Sequence, residues 1–212
     1  MTLYSYWRST TSYRVRIAMH LKGLAFDIHP VDLLKDAQRD PSYTALNPGA
    51  GVPALALEDG TVLTQSMAIL DYLDTAHPTP PLLPPNPVAA AQVRAAALTM
   101  ACDVHPVNNL RVTQRLQAMG HDKDTVLNWM HHWMIQGLAA FDALLPDGPV
   151  FAFGDTPGLA DICLVAQLYN AHRWGVDMTA LPRLTEIETR CAALPAFVAA
   201  HPNAQPDAEI TS

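Results

Sequence analysis

Hydrophobic and polar positions follow two different periods along the first eighty residues. Residues 2–7 and residues 24–31 are short apolar runs, each of which predicts a strand. Between them, residues 11–22 are apolar most of the way round a helix, as expected of a helix enclosed by neighbouring elements. Gly23 is placed to end that helix.

A hairpin and a further helix follow in the sequence. Residues 52–57 and 62–65 are apolar runs on either side of an Asp-Gly turn sequence, which predicts two antiparallel strands. Apolar positions after Ser66 recur at helical spacing, and serine is a favoured N-cap residue. The order strand, helix, strand, hairpin and helix predicts an α/β domain over residues 1–80.

The pattern changes after residues 77–87, a proline-rich segment that can form neither a helix nor a central strand. We interpret this segment as a domain linker. Beyond it the strand pattern disappears, and alanine-rich stretches with apolar residues four apart predict an all-helical domain over residues 88–212. The predicted helices of that domain are residues 88–119, 123–145, 158–173 and 181–193.

Composition excludes several classes of function. Half of the 212 residues are hydrophobic and 16% are charged, which is typical of a globular protein with a sizeable core. The net charge of -7 and the absence of a basic run argue against nucleic-acid binding. No apolar run of about 18 residues is present, so we expect no membrane span. The amino terminus lacks the basic and apolar regions of a signal peptide.

Cysteine and histidine spacing predicts neither a disulfide framework nor a metal site. The three cysteines are far apart and form no CxxC pair, which favours a reducing cytoplasm. His131 and His132 are adjacent, so their side chains diverge by about 100° on a helix. We therefore expect no metal ion.

Four hydroxyl residues, Ser9 to Ser12, stand where the first strand should end and the first helix should begin. Hydroxyls at this position cap unpaired backbone N–H groups. The start of a helix also carries partial positive charge, which favours a bound anion and lowers the pKa of a thiol. Capping alone and anion binding are both consistent with these residues, because they use the same helix end.

Two segments carry a resemblance to a known family. Residues 9–18, Ser-Thr-Thr-Ser-Tyr-Arg-Val-Arg-Ile-Ala, and residues 102–111, Cys-Asp-Val-His-Pro-Val-Asn-Asn-Leu-Arg, resemble motifs of the zeta class of cytosolic glutathione transferases. The resemblance implies a thioredoxin-like α/β domain, an all-α carboxyl-terminal domain and a homodimer. It also implies glutathione-dependent cis–trans isomerisation of maleylpyruvate or maleylacetoacetate, in the catabolism of aromatic compounds.

The resemblance assigns roles to particular residues. Ser9 would face the glutathione sulfur as a hydrogen-bond donor, and Thr10 and Thr11 would add hydroxyl or backbone N–H donors. Val52 and a cis Pro53 would hold the cysteinyl backbone, and Gln65 and Ser66 the γ-glutamyl group. The remaining glutathione-binding residues implied by the resemblance are His105 and Asn109, placed on the first helix of the helical domain.

Arginines would bind the substrate. A maleyl substrate carries two carboxylates, and arginine binds carboxylates in a bidentate manner. The family lines its pocket at positions that match Arg8, Arg111 and Arg173, whereas we interpret Arg14 and Arg16 as structural.

Two positions depart from the family pattern. Thr11 stands where a cysteine is usual, and Gly158 stands where the family usually has serine or threonine, three residues before Asp161. We expect Asp161 to keep its half of the capping box.

Two other functions remain open from the sequence. A transferase that conjugates electrophiles or dehalogenates α-halo acids would share the glutathione residues and differ in what the arginines face. A glutathione-binding protein without catalytic activity would bind the tripeptide and turn over neither substrate class.

Overall fold

The computed structural model describes residues 1–209, which form two compact units. The first comprises Met1–Pro81 together with residues 192–209, and the second comprises Leu82–Cys191. The predicted helical domain extended to residue 212, so the carboxyl-terminal segment falls in a different unit from the one the sequence suggested. Residues 210–212 of that prediction lie outside the described residues.

A four-stranded mixed sheet forms the centre of the first unit. Its strands are β1 (Thr2–Ser5), β2 (Asp27–Pro30), β3 (Ala54–Ala56) and β4 (Val62–Thr64), in the spatial order β2-β1-β3-β4. β1 is parallel to β2 and antiparallel to β3, and β3 and β4 form the predicted antiparallel hairpin. Leu3 and Leu55 are partners across β1 and β3, and both are fully buried.

Helices make up most of the remaining structure. In chain order they are α1 (Thr10–Leu21), α2 (Pro41–Thr44), α3 (Ser66–Ala76), α4 (Pro87–Leu98), α5 (Leu110–Ala118), α6 (Lys123–Leu144), α7 (Leu159–Arg173), α8 (Pro182–Ala192) and α9 (Pro195–Ala200). The sequence predicted most of these but not the short helices α2 and α9. No helix of the described residues is long and apolar enough to cross a bilayer.

A buried arginine binds α1 to the carboxyl-terminal segment of the same unit. The Arg16 side chain, with none of its surface exposed, donates from Nε to the Ala200 carbonyl at 3.0 Å and from Nη2 to the Trp7 carbonyl at 3.0 Å. The Trp7 N–H in turn donates to the Asp207 carboxylate at 3.0 Å. The structural role predicted for Arg16 is confirmed, because it fixes the backbone that leads into α1.

The single helix predicted over residues 88–119 is wrong. After α4 the chain forms a π-helix at Thr99–Val104 and a 3₁₀ turn at Pro106–Asn108 before α5 begins. Pro106 has no N–H to continue a helix. Asn109 then caps α5, since its Oδ1 accepts from the Arg111 N–H at 3.2 Å. The alanine-rich pattern concealed this interruption.

Asp161 forms hydrogen bonds that connect the start of α7 to the segment that precedes this helix. Its two carboxylate oxygens accept from the Gly158 N–H at 2.9 Å and the Ala152 N–H at 2.8 Å, which confirms its half of the capping box. A Cβ at Gly158 would lie 2.9 Å from the Leu82 carbonyl oxygen, so close backbone approach explains the glycine. Burial raises the pKa of Asp161 to about 6, although the two N–H donors act in the opposite direction.

This pKa predicts how stability depends on pH. Because the folded-state pKa lies above the ordinary value of 3.8, the native state binds the Asp161 proton more tightly than the unfolded chain. Stability from this group is present at low pH and is lost as pH rises through the folded pKa. Between about pH 4 and about pH 6, wild type should therefore lose about 2 kcal/mol relative to Asp161→Asn.

Urea unfolding of both proteins across this pH range measures that difference. Asp122→Asn serves as the control, because Asp122 is an exposed cap residue whose Thr125 hydrogen bond lowers its pKa instead. The stability difference between Asp122→Asn and wild type should change only slightly between pH 4 and pH 6, and in the opposite direction, because a lowered pKa makes wild type gain stability as pH rises. A constant difference for Asp161→Asn would show that the Asp161 carboxyl does not bind its proton more tightly in the native state.

Candidate functional site

The start of α1 carries the predicted run of hydroxyls. Ser9 is the N-cap residue, with extended backbone angles of φ -71° and ψ 118°, and its Oγ accepts from the Ser12 N–H at 3.2 Å. Thr10 and Thr11 form the first turn of the helix. The N–H groups of a first turn have no partner within their helix and produce partial positive charge. The predicted cap is confirmed, and it leaves this end suited to an anion.

Thr11 connects this helix end to the loop before β3. The Thr11 hydroxyl donates to the Val52 carbonyl at 2.8 Å, and its oxygen lies 2.9 Å from the Ser9 Oγ. The Val52–Pro53 peptide bond is cis, as the resemblance implied. The structure therefore brings Ser9, Thr11 and Val52 together, although Val52 is far from the other two in sequence.

The start of α3 differs from the prediction that Ser66 is its cap. Gln65 is the N-cap residue, exposed and with a positive φ of 68°, and Ser66 is the first helical residue. The positive φ at Gln65 turns the chain away from the direction of β4, so the helix begins one residue earlier than expected. Ser66 is buried, and its hydroxyl lies 3.4 Å from the Arg14 Nη1.

Arg8 immediately precedes the cap residue of α1. Its guanidinium carbon lies 4.4 Å from the centre of the Trp7 ring, and its Nη2 lies 3.5 Å from the Tyr6 hydroxyl. A cation held over an aromatic ring keeps its orientation while its other N–H groups stay available. Arg8 is thus a cation in contact with two aromatic residues, immediately before the start of α1.

The second unit holds the other predicted residues. His105 follows the π-helix, and its Nε2 lies 3.4 Å from the Asn109 Nδ2, so these two residues are neighbours. The sequence had suggested that they lie on one continuous helix. In the structure they lie in the interruption between α4 and α5. Arg111 is exposed in the first turn of α5. Arg173 ends α7, where its guanidinium carbon lies 4.8 Å from the Trp174 ring centre.

Chemically, the first unit offers a hydroxyl, two helix starts and an ordered guanidinium. Such groups bind anions by hydrogen bonding and charge. Within residues 1–209, no group of three or more His, Cys, Asp or Glu side chains could hold a metal ion.

Comparison with known proteins identifies the family. Residues 8–76 match the glutathione S-transferase amino-terminal domain model, and residues 134–203 match the corresponding carboxyl-terminal model. The maleylacetoacetate isomerase of Pseudomonas aeruginosa is 48% identical over 209 residues, 98% of either chain. The chain belongs to the zeta-class glutathione S-transferase family.

Two solved structures of this transferase family are similar over almost the whole chain. A zeta-class maleylpyruvate isomerase in its holo form has a TM-score of 0.96 and 41% identity, and the match covers 99% of this chain and 100% of that one. A maleylacetoacetate isomerase from Anaeromyxobacter dehalogenans, solved with dicarboxyethyl glutathione and citrate bound in its active site, has a TM-score of 0.90 and 42% identity, with coverages of 99% and 94%. The predicted thioredoxin-like and helical transferase architecture is therefore confirmed.

Sequence reasoning missed several residues that position this transferase's candidate site. Arg14, interpreted only as structural, contacts Ser66, and its position inside an apolar helix was the one signal that it is buried. The Trp7 ring and the Tyr6 hydroxyl orient Arg8. No sequence signal pointed to Asp207, because its bond to the Trp7 N–H joins residues 200 positions apart.

Two cavities lie away from the predicted residues. One, of about 330 Å³, is lined by α1 and the carboxyl-terminal segment, including Tyr13, Phe197 and His201. The other, of about 410 Å³, is lined by the end of α7, the start of α8 and the segment between them. Neither cavity is lined by a predicted site residue. The candidate site is therefore defined by the hydroxyls and N–H groups at the start of α1 and not by either of these cavities.

Proposed function

We propose that this transferase is a glutathione-dependent cis–trans isomerase that converts a maleyl keto acid to its fumaryl isomer. The observation that carries the proposal is the arrangement at α1, where the Ser9 hydroxyl, the helix start and Arg8 lie together. The similar proteins named as isomerases of maleylacetoacetate or maleylpyruvate support it. Catabolism of aromatic compounds is the corresponding pathway class, and we place the enzyme in the cytoplasm.

The groups of the first unit match those of glutathione. The glutathione thiol would lie at the Ser9 hydroxyl and its cysteinyl amide at the backbone around Val52. Its γ-glutamyl carboxylate would lie at the start of α3. When bound, glutathione supplies a thiolate that can add to an activated double bond, permit rotation about it and leave again unchanged. The Anaeromyxobacter relative has dicarboxyethyl glutathione bound in its active site, a glutathione that carries a diacid group, which agrees with such an addition in that protein.

The chain's own residues would stabilise charge at each end of glutathione. Ser9 donates a hydrogen bond to the sulfur, and the backbone N–H groups of Thr10 and Thr11 add the positive end of α1. Val52 and Pro53 pair with the cysteinyl backbone. Gln65 and Ser66 present the start of α3 to the γ-glutamyl carboxylate, and the buried Arg14 adds positive charge behind Ser66. His105 and Asn109 are proposed to donate further hydrogen bonds to glutathione.

Arginines would bind the substrate carboxylates and the negative charge that develops on the keto oxygen. We propose Arg8, Arg111 and Arg173 for these roles, because a guanidinium binds carboxylate through two parallel N–H donors. Arg8 is oriented in advance by Trp7 and Tyr6, so little side-chain entropy is lost when it binds an anion. A protein of net charge -7 needs such local positive charge to attract a dianion.

Replacing Arg8 with alanine should raise the substrate KM about ten- to a hundredfold, because charged hydrogen bonds to a carboxylate are lost. The dissociation constant for glutathione should stay within about twofold, since Arg8 is assigned to the substrate alone. Steady-state kinetics with a maleyl keto acid and calorimetric titration with glutathione measure the two quantities. Arg39→Ala removes another arginine of the same unit, one paired with Asp36 on the exposed surface, and should change neither. A weakened glutathione affinity with an unchanged KM would contradict the assignment.

The substrate class is tested by comparing specificity constants. The purified protein is assayed with maleylpyruvate, maleylacetoacetate, an α-halo acid and a standard conjugating electrophile, each with glutathione in excess. Isomerisation of a maleyl keto acid should have the highest kcat/KM. Faster conjugation or dehalogenation would instead assign the arginines to a different electrophile, and binding of glutathione without any turnover would make the protein a non-catalytic member of its family.

We also propose that the protein is a homodimer. Sedimentation of the same preparation measures its oligomeric state.

A further inference from the structure

The Thr11 hydroxyl can act as a donor in only one of its two contacts. It lies 2.8 Å from the Val52 carbonyl oxygen and 2.9 Å from the Ser9 Oγ. A carbonyl oxygen has no proton, so Thr11 must donate there, and a threonine hydroxyl carries a single proton. It follows that Ser9 is the donor and Thr11 the acceptor in the contact between the two hydroxyls.

Both hydrogen-bonding roles of Ser9 are then occupied inside the protein. Its oxygen accepts from the Ser12 N–H at 3.2 Å, and its proton goes to Thr11. The bonds form one directed chain, from the Ser12 N–H through Ser9 and Thr11 to the Val52 carbonyl. An incoming thiolate therefore meets a serine whose proton already has an acceptor.

We infer that Thr11 is a positioning residue that accepts the Ser9 hydrogen bond until a thiolate replaces it as the acceptor. The loss of the Ser9–Thr11 bond then limits how strongly Ser9 stabilises the thiolate. The inference rests on the proposed binding of glutathione at Ser9. A hydrogen bond to a charged acceptor is about twice as strong as one between neutral groups, so the Ser9 hydroxyl donates to the thiolate in place of Thr11 and keeps its proton. The free energy of the lost Ser9–Thr11 bond reduces the net stabilisation of the thiolate. A hydrogen bond of ordinary strength corresponds to about a two- to tenfold change in the acid dissociation constant of the thiol.

The test removes the acceptor while keeping the shape of the side chain. In Thr11→Val the Ser9 proton has no acceptor on residue 11, so the acid dissociation constant of bound glutathione's thiol should rise about two- to tenfold above wild type. Thiolate absorbance during a pH titration of the complex measures this constant. The affinity for S-methylglutathione, which has no acidic thiol, is measured beside it, so that any effect of the lost Thr11–Val52 bond on binding of the tripeptide backbone is separated from thiol acidity. A Thr11→Ala variant repeats the measurement if the valine does not fit.

Two further variants separate positioning from a general disturbance of the loop. Thr11→Ser keeps a hydroxyl that both donates and accepts, and should keep the wild-type thiol acidity. In Ser9→Ala the added Thr11→Val change should have no further effect on thiol acidity, because no serine proton remains to be released. A thiol acidity in Thr11→Val equal to or below that of wild type, or an equal shift in both Ser9 backgrounds, would overturn the inference.

The wild-type complex distinguishes this inference from the proposed function. If wild type binds glutathione and lowers its thiol pKa, but Thr11→Val does not lower it further, only the role of Thr11 fails. If wild type leaves the thiol pKa at the value of free glutathione, the role of Ser9 fails, and the inference about Thr11 fails with it.

Discussion

Ser9→Ala should lower kcat for maleyl keto acid isomerisation about 10²- to 10³-fold, even at saturating glutathione. This is the usual effect of removing one donor from a group that stabilises developing or resident negative charge. The expectation follows from the position of Ser9 as the N-cap residue of α1, next to the first-turn N–H groups and their partial positive charge. The thiol pKa of bound glutathione should rise in the variant, because the thiolate loses a donor.

The same substitution also removes a helix cap, so its effect on folding has to be measured separately. Loss of the bond between the Ser12 N–H and the Ser9 Oγ should cost about 1 kcal/mol of stability. Ser12→Ala is the matched control, since it deletes a hydroxyl from the same run while keeping the backbone N–H that bonds to Ser9. Its turnover should stay within about twofold of wild type. Unchanged turnover in Ser9→Ala would remove Ser9 from the mechanism.

Lys22→Met should destabilise the first unit by about 3 kcal/mol, the lower end of the usual loss for a broken buried charge pair, because the partner carboxylate that remains, Asp74, is partly exposed. The Lys22 ammonium is fully buried and donates to Asp74 at 2.9 Å, the His77 carbonyl at 2.7 Å and the Pro80 carbonyl at 2.8 Å. All three of its protons are therefore used, at the point where α1, α3 and the start of the proline-rich segment meet. The substitution leaves a carboxylate and two carbonyls without this donor.

Urea unfolding followed by circular dichroism measures the loss, with Lys35→Met as the matched control. Lys35 also pairs with an aspartate, Asp32, at 3.0 Å, but 79% of its side-chain surface is exposed. Solvent screens such a pair, so the control should unfold at the wild-type urea concentration. Equal midpoints for Lys22→Met and Lys35→Met would show that burial of the ammonium contributes nothing to stability.

Local signals predicted the part of the fold that depends on short segments. The strand and helix around Ser9 and the hairpin of β3 and β4 were each specified by periodicity, caps and turn residues that are close in sequence. The helix after Ser66 was predicted for the same reason, but its cap was assigned one residue late. The positive φ at Gln65 depends on how β4 meets α3, and glutamine gives no sign of it.

Features that depend on distant residues could not be predicted from periodicity. The carboxyl-terminal segment joins the first unit through Arg16 and Asp207, whose partners lie about two hundred positions away. The break at Pro106 was not predicted, because the alanine-rich segment before it favours a helix, whereas Asn109 starts a new one. Within the site, the resemblance supplied candidate roles, but only the structure revealed that Thr11 bonds to Val52.

The central claim is that a glutathione thiolate held at Ser9 is used repeatedly and is not consumed. Nuclear magnetic resonance can follow a maleyl keto acid mixed with the enzyme and with much less glutathione than substrate. We predict complete conversion to the fumaryl isomer, many product molecules for each glutathione, and free glutathione at the end. A reaction that stops after one equivalent of glutathione, with the tripeptide recovered as a stable thioether, would contradict the claim.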